Sequence, residues 1–172
     1  MGVHQANCAV TITKECGQSD DTIVPENLVK MWARLLPGSA GNAVWIMNQD
    51  ALPQMYLLAS DSNKTNPVYM PAKGMAASPY GTLLGRPVLI AEQQPTIGDA
   101  GDLLLADMSQ YLAIDRGGLK PASSMHVEFL TDQMVFKFTY RFQGQPALAS
   151  AITPFKSSLT LSPFVRLGAR AT

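Results

Sequence analysis

Residues 134–142 constrain this chain more than any other segment. Met134, Phe136, Phe138, Tyr140 and Phe142 alternate with Val135, Lys137, Thr139 and Arg141. An alternation sustained over that length fits only an extended strand, because a helix would scatter the aromatics around its circumference. Val127-Glu128-Phe129-Leu130 and the turn residues Thr131-Asp132-Gln133 precede it. Together they predict a long hairpin with one greasy face. A lone two-stranded hairpin is marginal in water, so something must cover that face. The expected cover is the helix predicted over 25–36, or an element outside this sequence.

The remaining elements follow from shorter signals. Leu28, Trp32, Leu35 and Leu36 recur at helical spacing, with Thr22 as a candidate cap, Pro25 in the first turn and Pro37-Gly38 as the stop. Lys30 and Arg34 lie on another face, where cations near a helix C-terminus suit the dipole. Ala43-Val44-Trp45-Ile46-Met47 is a continuous apolar run and predicts a buried strand. A helix over 50–59 follows, with Asn48 or Asp50 as cap; Pro53 in its first turn favours Asp50. Further buried strands are predicted at 88–91, 103–106 and 111–114, and long loops at 68–84 and 95–102. The first 21 residues hold one strand-like run, 9–13, and read as an arm that needs a partner. From residue 150 onward the apolar residues are separated by Pro154 and Pro163, which predicts an extended tail that must dock. The order of elements gives an α+β fold with a mixed sheet, flanking helices and a long hairpin.

Charge narrows the functional classes. Thirteen Lys+Arg balance thirteen Asp+Glu, and only 15% of the 172 residues are charged, against about 25% in an average domain. The chain has little charge to keep copies apart. No basic run exceeds one residue, which argues against a polyanion surface. No apolar stretch approaches the roughly 18 residues of a membrane helix, and the N-terminus does not resemble a signal peptide. Cys8 and Cys16 are therefore expected as free thiols.

Chemical motifs are sparse. His4, Cys8 and Cys16 have the order of a zinc site, but their spacing fits no known knuckle and a fourth ligand is missing. His126 lies near Ser123 and Ser124 without any nucleophile motif around them. Asp99, Asp102, Asp107 and Asp115 do not match a calcium loop. Gly81 to Arg86 lacks the Lys-Ser/Thr of a phosphate loop. No catalytic, cofactor-binding or metal-binding residue is assigned. One alternative is a small hydrolase or metal-dependent enzyme with its site near Asp99, Asp102, Asp107 and His126. It requires at least three of those side chains in one pocket. Another is a stand-alone module that captures peptides along an exposed hairpin edge.

The order of segments points further. Ala43-Val44-Trp45-Ile46-Met47-Asn48 with its following helix, Leu83-Leu84-Gly85-Arg86-Pro87-Val88, and Gly101-Asp102-Leu103 through Asp115-Arg116-Gly117-Gly118 resemble successive segments of the tailed-phage major capsid proteins of the Hong Kong 97 fold. Phe129-Leu130-Thr131-Asp132-Gln133-Met134-Val135-Phe136-Lys137 is similar to the family's hairpin. The resemblance covers about residues 22–166. It implies a structural, non-enzymatic subunit that assembles with other capsid subunits into pentamers and hexamers. The shell would enclose DNA without sequence recognition, with no membrane and no small-molecule substrate. It would be a virion capsid made in the bacterial host cytoplasm. The family's arm, extended loop and most of its spine helix are not matched, so the chain resembles a C-terminal portion of a subunit. The implied organisation is an arm at 1–21, an axial-type α+β domain at 22–124, a peripheral-domain hairpin at 125–150 and a tail at 151–172. Residues 43–48, 88–91, 103–106 and 111–114 are then expected in one sheet.

Overall fold

The computed structural model describes residues 2–59 and 81–170. Its centre is a six-stranded mixed sheet. In chain order the strands are β1 (Val10–Ile12), β2 (Val44–Met47), β3 (Thr82–Leu83), β4 (Arg86–Ile90), β5 (Leu103–Ala106) and a last strand, Phe164–Leu167, here β10. Their spatial order is β1-β10-β5-β2-β4-β3. β10 runs parallel to β1 and antiparallel to β5, with Val165 opposite both Val10 and Leu105. β2 pairs antiparallel with β5 and parallel with β4, so Trp45 faces Leu105 on one side and Val88 on the other.

The central strands are continuous apolar runs because both faces of the sheet are covered. On one face Trp45, Met47, Leu103, Leu105, Val165 and Leu167 pack with Leu28, Met31 and Met55 from the two helices. On the other, Ile46, Leu104, Ala106 and Phe164 pack with Ala6 and Cys8. The N-terminal segment thus gains its order in two ways: β1 joins the sheet through β10, and residues 6–8 roof its second face. Trp45 is fully buried, and its indole N–H donates to the Leu83 carbonyl at 3.0 Å, leaving no polar atom unpaired.

Helix α1 spans Pro25–Ala33, three residues short of the expected end at Leu36. The chain leaves the helix because Leu35 forms a bridge with Ser162 and the Leu36 N–H donates to the Ser162 carbonyl. Arg34 does not point to solvent; its Nε donates to the Thr160 carbonyl at 2.6 Å. Thr22 is not the cap. Its hydroxyl donates to the Ser19 carbonyl, and the first turn is tied instead by Asn27, whose Oδ1 accepts from the Val24 N–H at 3.2 Å and from Gln18 at 2.9 Å. Helix α2 spans Leu52–Leu57 and is preceded by a short tight turn over Gln49–Ala51. Asn48, not Asp50, caps that turn by accepting the Asp50 N–H at 3.1 Å. The loop expected at 68–84 lies mostly outside the described residues.

Residues 111–114 also depart from expectation. They form β6 (Tyr111–Asp115), which is not in the central sheet. Both edges of β5 are already occupied by β10 and β2, and a tight turn over Met108–Gln110, capped by Asp107, carries the chain out of the sheet. β6 pairs with β9 (Phe142–Pro146) in a separate ribbon. A second ribbon joins β7 (Lys120–Glu128) to β8 (Gln133–Thr139), with an irregularity between Ser124 and Glu128. The hairpin therefore starts seven residues earlier than the Val127 run suggested, and its second strand stops at Thr139. Phe142 belongs to the other ribbon, although its ring still stacks on Tyr140 at a centroid distance of 6.4 Å.

Candidate functional site

The polar residues that could have formed a reactive centre are dispersed. Asp102 and Asp107 flank β5 at opposite ends, about 16 Å apart at the usual rise per strand residue. Asp102 is buried in an ion pair with Arg170, and its two oxygens also accept the Leu103 N–H at 2.8 Å and the Gly98 N–H at 3.0 Å. Gly98 reaches that position at φ +97 against Asp21, where a Cβ would fall 1.9 Å from the Asp21 Oδ1. Asp99 is exposed and accepts from the Thr96 hydroxyl. His126 is exposed on the hairpin, and Asp115 is exposed at the end of β6. His4 pairs with Gln94 at 2.8 Å, Cys8 is buried and Cys16 is exposed; both cysteines are free thiols. Burial pushes the Cys8 thiol up, with only partial relief from its own backbone and the Ser162 side chain. Among the described residues no three metal-ligating side chains converge.

Asp107 serves the turn. Burial disfavours its charge, but the Ser109 hydroxyl, the Ser39 hydroxyl and the Ser109 amide outweigh burial and hold its carboxyl below the usual aspartate range. A lowered folded-state value means stability that is complete above the ordinary aspartate pKa and lost as pH falls through the lowered one. Asp107→Asn is therefore expected to flatten the acid-side loss of stability below about pH 4. Urea midpoints measured from neutral pH downward check this; an unchanged acid limb would count against the role.

What the fold does gather is apolar surface. Along the two ribbons Leu112, Ile114, Val127, Phe129, Phe136 and Phe138 are all more than half exposed, and Leu130 at the hairpin tip is 99% exposed. Residues opposite each other on an antiparallel ribbon share a face, and side chains alternate between faces along each strand, so Phe136 and Phe138 lie on one side of the hairpin with Ser123 and Pro121. Leu112, Ile114, Tyr140 and Phe142 line an open hollow of about 620 Å³ where the ribbons meet. Helix α1, the expected cover, is engaged with the central sheet instead. Both long edges of the β7–β8 ribbon are also open among the described residues, as the peptide-capture alternative requires. Large apolar side chains left exposed side by side are the usual mark of an interaction surface.

The profile of the phage capsid family matches residues 3–157. The chain belongs to the phage capsid family. A capsid chain of an empty GTA particle, computed with C5 symmetry, superimposes with a TM-score of 0.69 at 17% identity over 98% of this chain. The capsid chain of a native GTA particle gives 0.67 at 17% identity over 94%. This capsid-family chain spans 56% and 54% of the length of those two chains. No curated protein matches it. The mixed α+β fold is thus that of capsid chains, and the family assigns it a structural role. The ribbons, with their greasy faces, fall within the matched region.

Proposed function

We propose that this chain is the C-terminal portion of a structural subunit of an icosahedral phage or prophage capsid. It associates with other copies into pentamers and hexamers whose shell encloses DNA, after synthesis in the bacterial host cytoplasm. The observation that carries this reading is the pair of ribbons, uncovered by the chain's own helices and apolar along the faces a neighbour would meet. A surface that is covered on assembly needs few charges, which accounts for the low charge content of the sequence. The dispersal of Asp99, Asp102, Asp107 and His126 removes the feature on which an enzyme depended. The open edges of β7 and β8 serve the same subunit contacts by strand addition.

Negative-stain electron microscopy of the purified chain tests the proposal. Rings or shells with fivefold or sixfold views are expected. A single monomeric species in the micrographs and in light scattering would count against it.

A further inference from the structure

The sequence argued against a polyanion surface because no two basic residues are adjacent. Folding nevertheless gathers four of them. Arg116, Lys120, Lys137 and Arg141 line a notch of about 380 Å³, together with Gly118, Pro121, Ala122 and Thr139. All four cations are exposed, and the notch has no carboxylate in its lining. The geometry explains how they meet. The Arg116 N–H donates to the Arg141 carbonyl at 3.0 Å, which joins the start of one ribbon to the end of the other. Lys120 stands opposite Thr139 and Lys137 opposite Ala122, so the two amines share one ribbon face at the diagonal spacing of about 7–8 Å. Gly117, at φ +77, lets the Lys120 side chain lie over the turn, where a Cβ would press on its Cε at 3.3 Å. Along β8 the even-numbered Phe136 and Phe138 point to the other face. The hairpin is therefore two-sided, greasy on one side and cationic on the other.

We infer that this notch binds the sugar–phosphate backbone of duplex DNA, without reading its sequence. Four like charges in one notch repel one another, and among the described residues no carboxylate forms an ion pair with any of them. A second copy of the chain is a poor source of the missing anions. Among the described residues its carboxylates do not converge in threes, and Asp20 and Asp102 are already paired with Lys14 and Arg170. A nucleic-acid strand offers a phosphate about every 3.4 Å of helix axis, enough to meet all four cations at once. The small residues between them leave room for a backbone to approach.

The choice of DNA as ligand rests on the shell reading, and the test separates the two. Fluorescence anisotropy of a short labelled DNA duplex is titrated with the whole chain at several salt concentrations. Four phosphate contacts predict a slope of log K against log salt of about −3 to −4. Each single Arg or Lys to Gln substitution should reduce it by about one. The variant carrying Arg116→Gln, Lys120→Gln, Lys137→Gln and Arg141→Gln should lose salt-dependent binding, with an unchanged urea midpoint. A quadruple variant that binds like the parent, or a parent that does not bind, overturns the inference. So does a variant that keeps its DNA affinity and stops self-associating, because the anion would then be a carboxylate of another copy. A chain that binds DNA through these residues and never associates leaves the notch standing and removes the shell reading.

Discussion

Replacing Arg170 with Met is expected to lower the unfolding free energy by about 3–5 kcal/mol. That is a large part of the roughly 5–15 kcal/mol that holds a domain of this size. The Arg170 and Asp102 side chains are both inaccessible to solvent. The guanidinium donates to both Asp102 oxygens, and also to the Thr22 carbonyl at 2.6 Å and the Gly168 carbonyl at 3.0 Å. One side chain therefore ties the segment before α1, the loop ahead of β5 and the end of β10 together. Removing it leaves an uncompensated carboxylate and the Gly168 carbonyl without its Arg170 donor, while the Thr22 carbonyl keeps only the Gln18 side-chain amide at 2.7 Å. Removing both charges should do less harm, because the expense lies in the stranded ion. Asp102→Asn with Arg170→Met is expected to be more stable than Arg170→Met alone, since the asparagine side chain keeps a carbonyl oxygen for one of the two backbone amides. Urea unfolding reads both variants; the midpoints should move while the slope stays constant. A loss below about 1 kcal/mol for Arg170→Met, the range of an exposed pair, would show that the clasp is not the tie described.

This clasp also marks where sequence reading stops. The runs at 43–47 and 103–106 were legible as buried strands, since strands with two covered faces are continuously apolar and both ends carry turn residues. Helix α1 was legible from its period. The strand at Phe164–Leu167 was not, because Pro163 and Arg166 break its apolar signal and its partners lie some 60 and 155 residues earlier in the chain. A short segment flanked by Pro looks the same whether it trails in solvent or fills the gap between β1 and β5. The run at 111–114 failed the other way. It is as apolar as its neighbour at 103–106, but periodicity reports only that a strand wants cover, not whether the same chain supplies it. Dispersed charges are the third case. Arg116, Lys120, Lys137 and Arg141 become neighbours only through the pairing of the ribbons, which no local window contains.

Substituting Phe136 and Phe138 together with Thr is expected to weaken self-association by roughly a hundredfold, while the fold keeps its stability. The two rings are 64% and 65% exposed and share one side of the hairpin. Covering each against a neighbour contributes about 1.5 kcal/mol at the usual value per unit of apolar area, and the two together amount to roughly a factor of a hundred. Thr is chosen because it retains strand propensity, so the ribbon itself should survive. Exposed positions with no other role change stability by about 0.5 kcal/mol at most, which urea midpoints can verify. Light scattering across a concentration series measures the association. Lys137→Thr lies on the opposite side of the same strand and should leave association intact, which separates the greasy face from the cationic one. Equal association by the parent and the double Phe variant would mean that copies meet elsewhere, and the ribbon's apolar side would then have to be covered by a different part of the subunit.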